Sequence, residues 1–494
     1  MVNKQEVNRV VLGVLMVCMA VAFGCKETKK APLGTFTHGV ASGDPGKEDV
    51  ILWTRFVPVD SLETNIDWEI GSDSLFSRIV NKGSILSSPD NDFCVHVRAG
   101  GLQSGKTYYY RFKKNGLETL TGRTRTLPEK ADNIRIGVVN CANYTGGYYH
   151  AFDSLSKMKD IDVVIHLGDY IYEGGKVVEG SSYWPSYKAT GRQHDPMHEC
   201  FSLTDYRTRY ALYRGDSALQ KLHSRFPMIP IWDDHEIAMK PLNKNKPGYA
   251  KFGGTWQERF DNSVKAYHEW LPLRPKAFET IYRSFQFGDL VNLMMLDTRV
   301  CCKSEVTKTP ESLLDTTRHI IGSKQLKWIQ EEVIQNDADW NVFGNQLLLA
   351  IKDMGWARWP GFPRDRDRFL DFVQRNPEKN FVFTTGNAHN PHHYIIRDET
   401  KRDTLVHEFL PGSISSGNNA EKAFYDPDVL AKEAKRLTEA ENVLWFHQDS
   451  HGFIVLDITE EKLEALWYFV SSIRDKTYTV NIPYRYTLRS NQLE

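Results

Sequence analysis

Net charge is almost absent from this sequence: 62 Lys and Arg face 63 Asp and Glu in 494 residues, a formal charge of −1. Such balance excludes a global field steering the chain toward nucleic acid or an anionic membrane, and no nucleic-acid-binding module stands out. Any anionic substrate must therefore be drawn in by a local site. Long apolar runs are missing beyond the N-terminus, which excludes a multi-span membrane protein. No internal repeat and no low-complexity tract follows that region, so a solenoid is excluded too. Cysteine is scarce, with seven in the chain. The length suggests two or three domains.

What is present begins with a targeting pattern. Lys4 and Arg9 flank an apolar run over 10–23 that is short for a membrane span and suits a secretory leader. The run ends in Val21-Ala22-Phe23-Gly24-Cys25, which is similar to a bacterial lipobox. The expectation is a signal peptide over 1–24, lipidation of Cys25, a polar tether over 25–33, and a mature protein anchored in the bacterial envelope, periplasmic or at the cell surface. Cys18 would leave with the leader. Five thiols remain, at Cys94, Cys141, Cys200, Cys301 and Cys302, and an odd count in an exported chain flags one with another task. Cys200 pairing with Cys301 or Cys302 stays open.

Residues 34–128 show an all-β pattern. Candidate strands over 50–56, 67–70, 93–99 and 108–113 are separated by turn-forming clusters, as in a small β-sandwich. The run Leu102 to Tyr110 is similar to a fibronectin type III turn entering an aromatic strand. The pattern changes near Thr126-Leu127-Pro128, and from 129 to 494 β and α signals alternate. Apolar strands are expected over 134–140, 162–167, 228–232, 290–296, 340–343 and 381–384. Helices are expected over 149–159, 203–213, 256–270 and 323–335. This is an α/β domain.

Chemistry-bearing residues in α/β sheets gather beyond the C-terminal ends of strands. Four strand ends here carry unusual polar groups. Cys141 follows the first apolar run, and a thiolate there suits iron or zinc. Gly168-Asp169-Tyr170-Ile171-Tyr172 follows the second, with a carboxylate and a phenol one turn apart, donors suited to a hard trivalent ion. Asp233-Asp234-His235-Glu236 follows a third, joining carboxylates for a divalent cation to an imidazole that can act as an acid. Asn387 and His389 follow a fourth. Two apart, they face the same side if the backbone is extended, with His392 and His393 just beyond. Each stretch alone also fits a bland alternative: a buried thiol, an acidic loop, a surface histidine run.

Taken in order, these pieces resemble the alkaline phosphatase D (PhoD-like) family of metallophosphoesterases. So do His38-Gly39-Val40-Ala41-Ser42-Gly43-Asp44-Pro45, Tyr206-Arg207-Thr208-Arg209-Tyr210, Leu296-Asp297-Thr298-Arg299, Gly344-Asn345-Gln346 and Pro411-Gly412-Ser413. The resemblance implies a four-layer α/β/β/α metallophosphatase core over 129–494, preceded by a fibronectin type III-like sandwich over 34–128. It implies hydrolysis of phosphate esters by a metal-activated hydroxide at a centre of Fe3+ with Ca2+ or another divalent ion. By motif, Cys141, Asp169, Tyr172 and His389 would hold the iron. Asp169 would bridge to a second ion completed by Asp234 and Asn387, with Asp233 a further candidate. His235 matches the family's catalytic histidine. Arg207 or Arg209 is a candidate clamp for a substrate oxygen, and His392 a candidate for substrate or an additional metal. Two features depart from the family: Asn387 replaces its usual aspartate, and no Arg-Arg pair precedes the apolar run. Two other activities fit the motifs: a phosphodiesterase or phospholipase D-like hydrolase, and a non-catalytic phosphate-binding envelope lipoprotein.

Overall fold

The computed structural model describes residues 34–238, 254–275, 280–350, 356–400, 403–422 and 426–490. The leader, Cys25 and the tether lie outside the described residues. Two sheets form the main body. In the nine-stranded sheet the order is Val480–Arg489, Lys462–Val470, His451–Ile458, Ile134–Val139, Val163–His166, Met228–Pro230, Gly34–Gly43, Asp49–Pro58 and Cys94–Gly100. Its three central strands run parallel. The seven-stranded sheet follows the order Arg283–Phe287, Val291–Met295, Trp340–Asn345, Asn380–Thr385, Thr404–Pro411, Pro391–Arg397 and Val443–Phe446, parallel through its middle four.

Apolar alternation explains how the sheets pack. Successive side chains on a strand face opposite ways, so a strand buried on both faces serves two cores. Leu293, Val342 and Val382 join the cluster shared with Ile136, Val138 and Ile165 of the nine-stranded sheet. Their neighbours Met294, Phe343 and Phe383 join a second cluster with Ile329 and Phe369, from the helices Gly322–Gln335 and Pro363–Gln374. The rings of Phe343 and Phe383 stack with centroids 4.6 Å apart. Truncating either to Ala costs about 3–5 kcal/mol. Helices Leu203–Arg214, Ser217–Arg225 and Trp256–Trp270 contribute Tyr206, Leu222 and Ala266 to the first cluster.

The N-terminal part has its own small core. Val50, Leu52, Val95 and Val97 pack with Ile66, Ile70, Tyr110 and Phe112 of a five-stranded sheet built from Thr64–Gly71, Ile79–Ser87, Thr107–Lys114, Leu117–Glu118 and Gly122–Arg125. Hydrogen bonding does not stop at the expected boundary near 128, because Gly43 pairs in parallel with Met228. The fully buried Asp44 fastens the join. It accepts from the Arg274 amide at 2.9 Å and the Arg283 guanidinium at 2.8 Å. The expected helix over 149–159 is shorter, His150–Ser156, and the Ser156 hydroxyl turns back to the Asp153 carbonyl at 2.8 Å. The five described cysteines are all free, so the pairing left open for Cys200 is not made.

Candidate metal centre

Two strand ends deliver side chains to one place, and a third carries Asn387. Cys141 follows Ile134–Val139, Asp169 follows Val163–His166, and Asn387 follows Asn380–Thr385. All three are non-glycine residues in the left-handed region, with φ of 54°, 55° and 58°. Residues with side chains adopt that conformation at a cost of order 1–3 kcal/mol and cluster at functional sites. The first two turns are zipped together: the Cys141 amide donates to the Gly168 carbonyl at 3.1 Å, and the Ala142 amide to that of Asp169 at 3.0 Å. Gly168 has φ +102°, and a Cβ on it would meet the Asp233 backbone nitrogen at 2.5 Å. Only glycine lets the Asp169 turn lie against the Asp233 turn.

Ligand atoms of Cys141, Asp169 and His389 all lie within 4.8 Å of one another, and so do those of Asp169, Asp234 and His235. Asp169 belongs to both groups. Its Oδ2 accepts from the Tyr172 hydroxyl at 2.8 Å and lies 3.4 Å from the Cys141 thiol. The His389 Nδ1 faces the Gly417 carbonyl at 2.8 Å, so Nδ1 carries the proton and donates. Its Nε2 lone pair then turns inward, 3.4 Å from the Tyr172 oxygen. Burial holds the His389 imidazole down to about 3, with Lys422 adding to it, so it is neutral and free to ligate. Burial first, then the nearby carboxylates, pushes the Cys141 thiol well up.

The other half is built on charge. Asp233 is fully buried, and burial raises its carboxyl well above the usual range against the pull of Arg299. Arg299 ion-pairs with Asp233 and reaches Asp234 at 3.2 Å. Burial works against the Asp234 carboxylate as well, but Arg299 and His235 outweigh it and bring it to about 2. Asp233 Oδ2 is buried without a hydrogen-bond partner, while its Oδ1 lies against the Arg299 guanidinium. Arg299 faces one oxygen of each carboxylate, which leaves Asp233 Oδ2 a buried lone-pair bearer with no donor. Glu236 ties the turns together, accepting from the Tyr170 amide at 2.6 Å and the Asp233 amide at 2.8 Å. His235 packs over Tyr172 with ring centroids 4.1 Å apart, and its Nδ1 meets Glu173 at 2.6 Å. Burial opposes the imidazolium, yet Glu173, Asp169 and Asp234 hold it well above the ordinary range.

Three expected candidates are engaged elsewhere. The Arg207 guanidinium is filled by Glu269 at 2.8 and 2.6 Å, so its fork is not free for a substrate oxygen. Arg209 is fully buried and donates to the carbonyls of Gly174, Pro196 and Tyr172, which makes it a brace for the 172–198 segment. His392 lies on the strand Pro391–Arg397, stacked on Tyr394 with centroids 5.1 Å apart, and belongs to neither ligand group. Asn387 does not follow the extended-backbone premise, since its φ is positive. Glu173, Glu236 and Arg299 had no site role in the sequence reading. Arg299 carried one usable signal: it sits just past the apolar strand Val291–Met295, on the edge where the other site turns emerge.

Comparison with known proteins places the chain in a family. A family model described as PhoD-like phosphatase matches residues 136–467, and that of its N-terminal domain matches 23–128. Alkaline phosphatase D of Bacillus subtilis (strain 168) is 31% identical over 483 residues, covering 90% of this chain and 80% of the relative. The chain belongs to the PhoD-like phosphatase family. Membership makes it an enzyme of the phosphoric ester hydrolase class. The solved structure of PhoD matches this family member with a TM-score of 0.82 and 28% identity, over 92% of this chain and 90% of that one. A purple acid phosphatase from yellow lupin (Lupinus luteus) seeds shares the mixed α/β fold, at a TM-score of 0.58 and 11% identity over 92% of this chain and 74% of that one.

The residues of this PhoD-like phosphatase fit a pair of cations. A carboxylate oxygen stands buried without a donor, a neutral imidazole turns its lone pair inward, and a thiol and a phenol converge on the shared Asp169. Buried like charges of this kind are stabilised by cations placed among them.

Proposed function

We propose that this chain hydrolyses phosphate esters at a two-cation centre. In this reading Cys141, Asp169, Tyr172 and His389 hold ferric iron. Asp169 extends to a second, divalent ion such as calcium that Asp234 and Asn387 complete. The observation that carries the reading is Asp169, whose carboxylate belongs at once to the Cys141–His389 group and to the Asp234–His235 group. The thiolate on one side suits iron, the phenolate beside it suits a hard trivalent ion, and oxygen donors on the other side suit calcium. When bound, such metals lower the pKa of a water, neutralise phosphate oxygens and stabilise a leaving oxygen.

The protein's own groups do the rest. Glu173 grips Nδ1 of His235, which leaves Nε2 to give its proton to the departing oxygen. Neighbouring carboxylates keep that proton in place until it is needed. Asp233 and Arg299 balance each other, so Asp234 can offer an oxygen outward. The test compares an aryl phosphate monoester with a diester on protein reloaded with iron and calcium. Turnover of either supports the reading, the ratio assigns the preferred ester, and failure to turn over both contradicts it.

The finer architecture belongs to the same proposal. Helix-sheet-sheet-helix layering for 129–494 and a fibronectin-like sandwich for 34–128 are supported by the two clusters flanking the seven-stranded sheet and by the separate N-terminal core. Export and lipid anchoring rest on Val21 to Cys25. Incorporation of labelled fatty acid that Cys25→Ala abolishes supports the anchor, and unlabelled full-length protein contradicts it.

A further inference from the structure

A buried serine stands behind the phenol, and this inference rests on the reading that Tyr172 ligates ferric iron. The Ser416 hydroxyl lies 2.6 Å from the Tyr172 oxygen and 2.9 Å from the Cys141 carbonyl. Ser416 is fully buried and has one proton to give. The Cys141 carbonyl already receives the Ser416 amide at 3.2 Å and the Ser415 amide at 3.4 Å, so it has donors without the hydroxyl. The remaining polar neighbours of the Tyr172 side chain are Asp169 Oδ2 at 2.8 Å and His389 Nε2 at 3.4 Å. A carboxylate has no proton to offer, and His389 uses its N–H on the Gly417 carbonyl. While Tyr172 is a phenol it donates to Asp169. Once its proton is gone, Ser416 is the donor that faces its oxygen among the described residues.

We infer that Ser416 donates a hydrogen bond to the Tyr172 phenolate in the metal-loaded protein and thereby sets how much electron density that oxygen gives to the ion. Ser416 is a positioning residue, acting through Tyr172. Its own place is firmly fixed. The Ile414 amide donates to the Asn140 carbonyl at 3.0 Å, and the Ser415 hydroxyl to that of Asn143 at 2.7 Å. Further out, Ser413 donates to the Ser416 carbonyl at 2.6 Å and meets His451 Nδ1 at 3.0 Å, while His451 Nε2 meets Glu421 at 2.9 Å. A single segment, 413–417, thus orients two ligands: the phenol through Ser416 and the imidazole through Gly417. Partners of metal ligands tune basicity as well as orientation, and their loss typically costs 10–100-fold in metal affinity or activity.

The readout is optical. A phenolate bound to ferric iron absorbs visible light by charge transfer from oxygen to metal. Removing a hydrogen bond raises the oxygen's filled orbital, so the band moves to longer wavelength and the iron becomes harder to reduce. Iron-loaded Ser416→Ala is expected to show both shifts, and Ser416→Thr to restore the native band. A second measurement needs no variant: the phenolate vibrations of the iron-loaded native protein should shift in heavy water, because the donated proton becomes a deuteron. An unmoved band in Ser416→Ala, or vibrations blind to heavy water, would overturn the inference and leave the metal reading standing. No charge-transfer band at all in iron-loaded native protein would overturn both.

Discussion

The two halves of the candidate centre are assembled by different physics. Around Cys141, Tyr172 and His389, hydrogen bonds fix every donor, and backbone carbonyls orient the groups behind them: Gly417 holds His389, and the segment 413–417 braces the rest. Around Asp233 and Asp234, orientation comes from opposite charge, with Arg299 set between two carboxylates. A half built on directed hydrogen bonds is already arranged for a specific ion. A half built on a removable counter-charge can adapt to more than one divalent cation, because Coulomb attraction has no preferred direction. In the proposed centre Asn387 belongs to this second half and brings it an uncharged oxygen donor.

Substitutions can break this contrast or sharpen it. The largest expected effect lies in the charge-built half. His235→Ala should lower kcat by about 10²–10⁴-fold while iron and calcium contents stay native, as measured by elemental analysis beside steady-state kinetics. Next come the selective losses. Cys141→Ser should weaken iron by at least the roughly 10–100-fold that losing an outer partner costs and leave calcium alone. Asp234→Asn should do the reverse, and equilibrium dialysis against each metal reads both. If either variant lost both metals equally, the halves would not be separable. Asn387→Asp should tighten the divalent ion by about tenfold, since carboxylate count sets such affinities. Arg299→Gln, removing the competing cation, should tighten the same ion several-fold. The smallest expected effect is Arg207→Ala, which should leave kcat and KM within about twofold while lowering Tm, because its partner is Glu269 and lost charged hydrogen bonds cost about 1.5–3 kcal/mol.

Parts of this arrangement were legible in the sequence for local reasons. The helix Trp256–Trp270 was bounded correctly at both ends, and at its start Thr255 and Glu258 close a capping box. Asp169 and Asp234 stood out because each directly follows an apolar run that becomes a central strand. Other features have no local signature. Nothing near Gly43 says that it will pair with Met228, yet that bridge carries the sheet across the expected boundary. The C-terminal strands His451–Ile458, Lys462–Val470 and Val480–Arg489, which extend the same sheet, were not singled out. Ser416 and Glu173 carry no motif and matter only through what folding places beside them, Tyr172 and His235. Arg207 and Arg209 mislead in the opposite way. Their motif is conspicuous, but its job is bracing. Chain periodicity fixes elements, whereas partners far apart in sequence fix the roles of polar side chains.

Metal loading of stripped, folded protein tests the central claim most directly. Titrated with iron and then calcium, and followed by elemental analysis, the native chain is expected to take one of each, and Cys141→Ser to take calcium alone. Folded protein that retains neither metal would contradict the account.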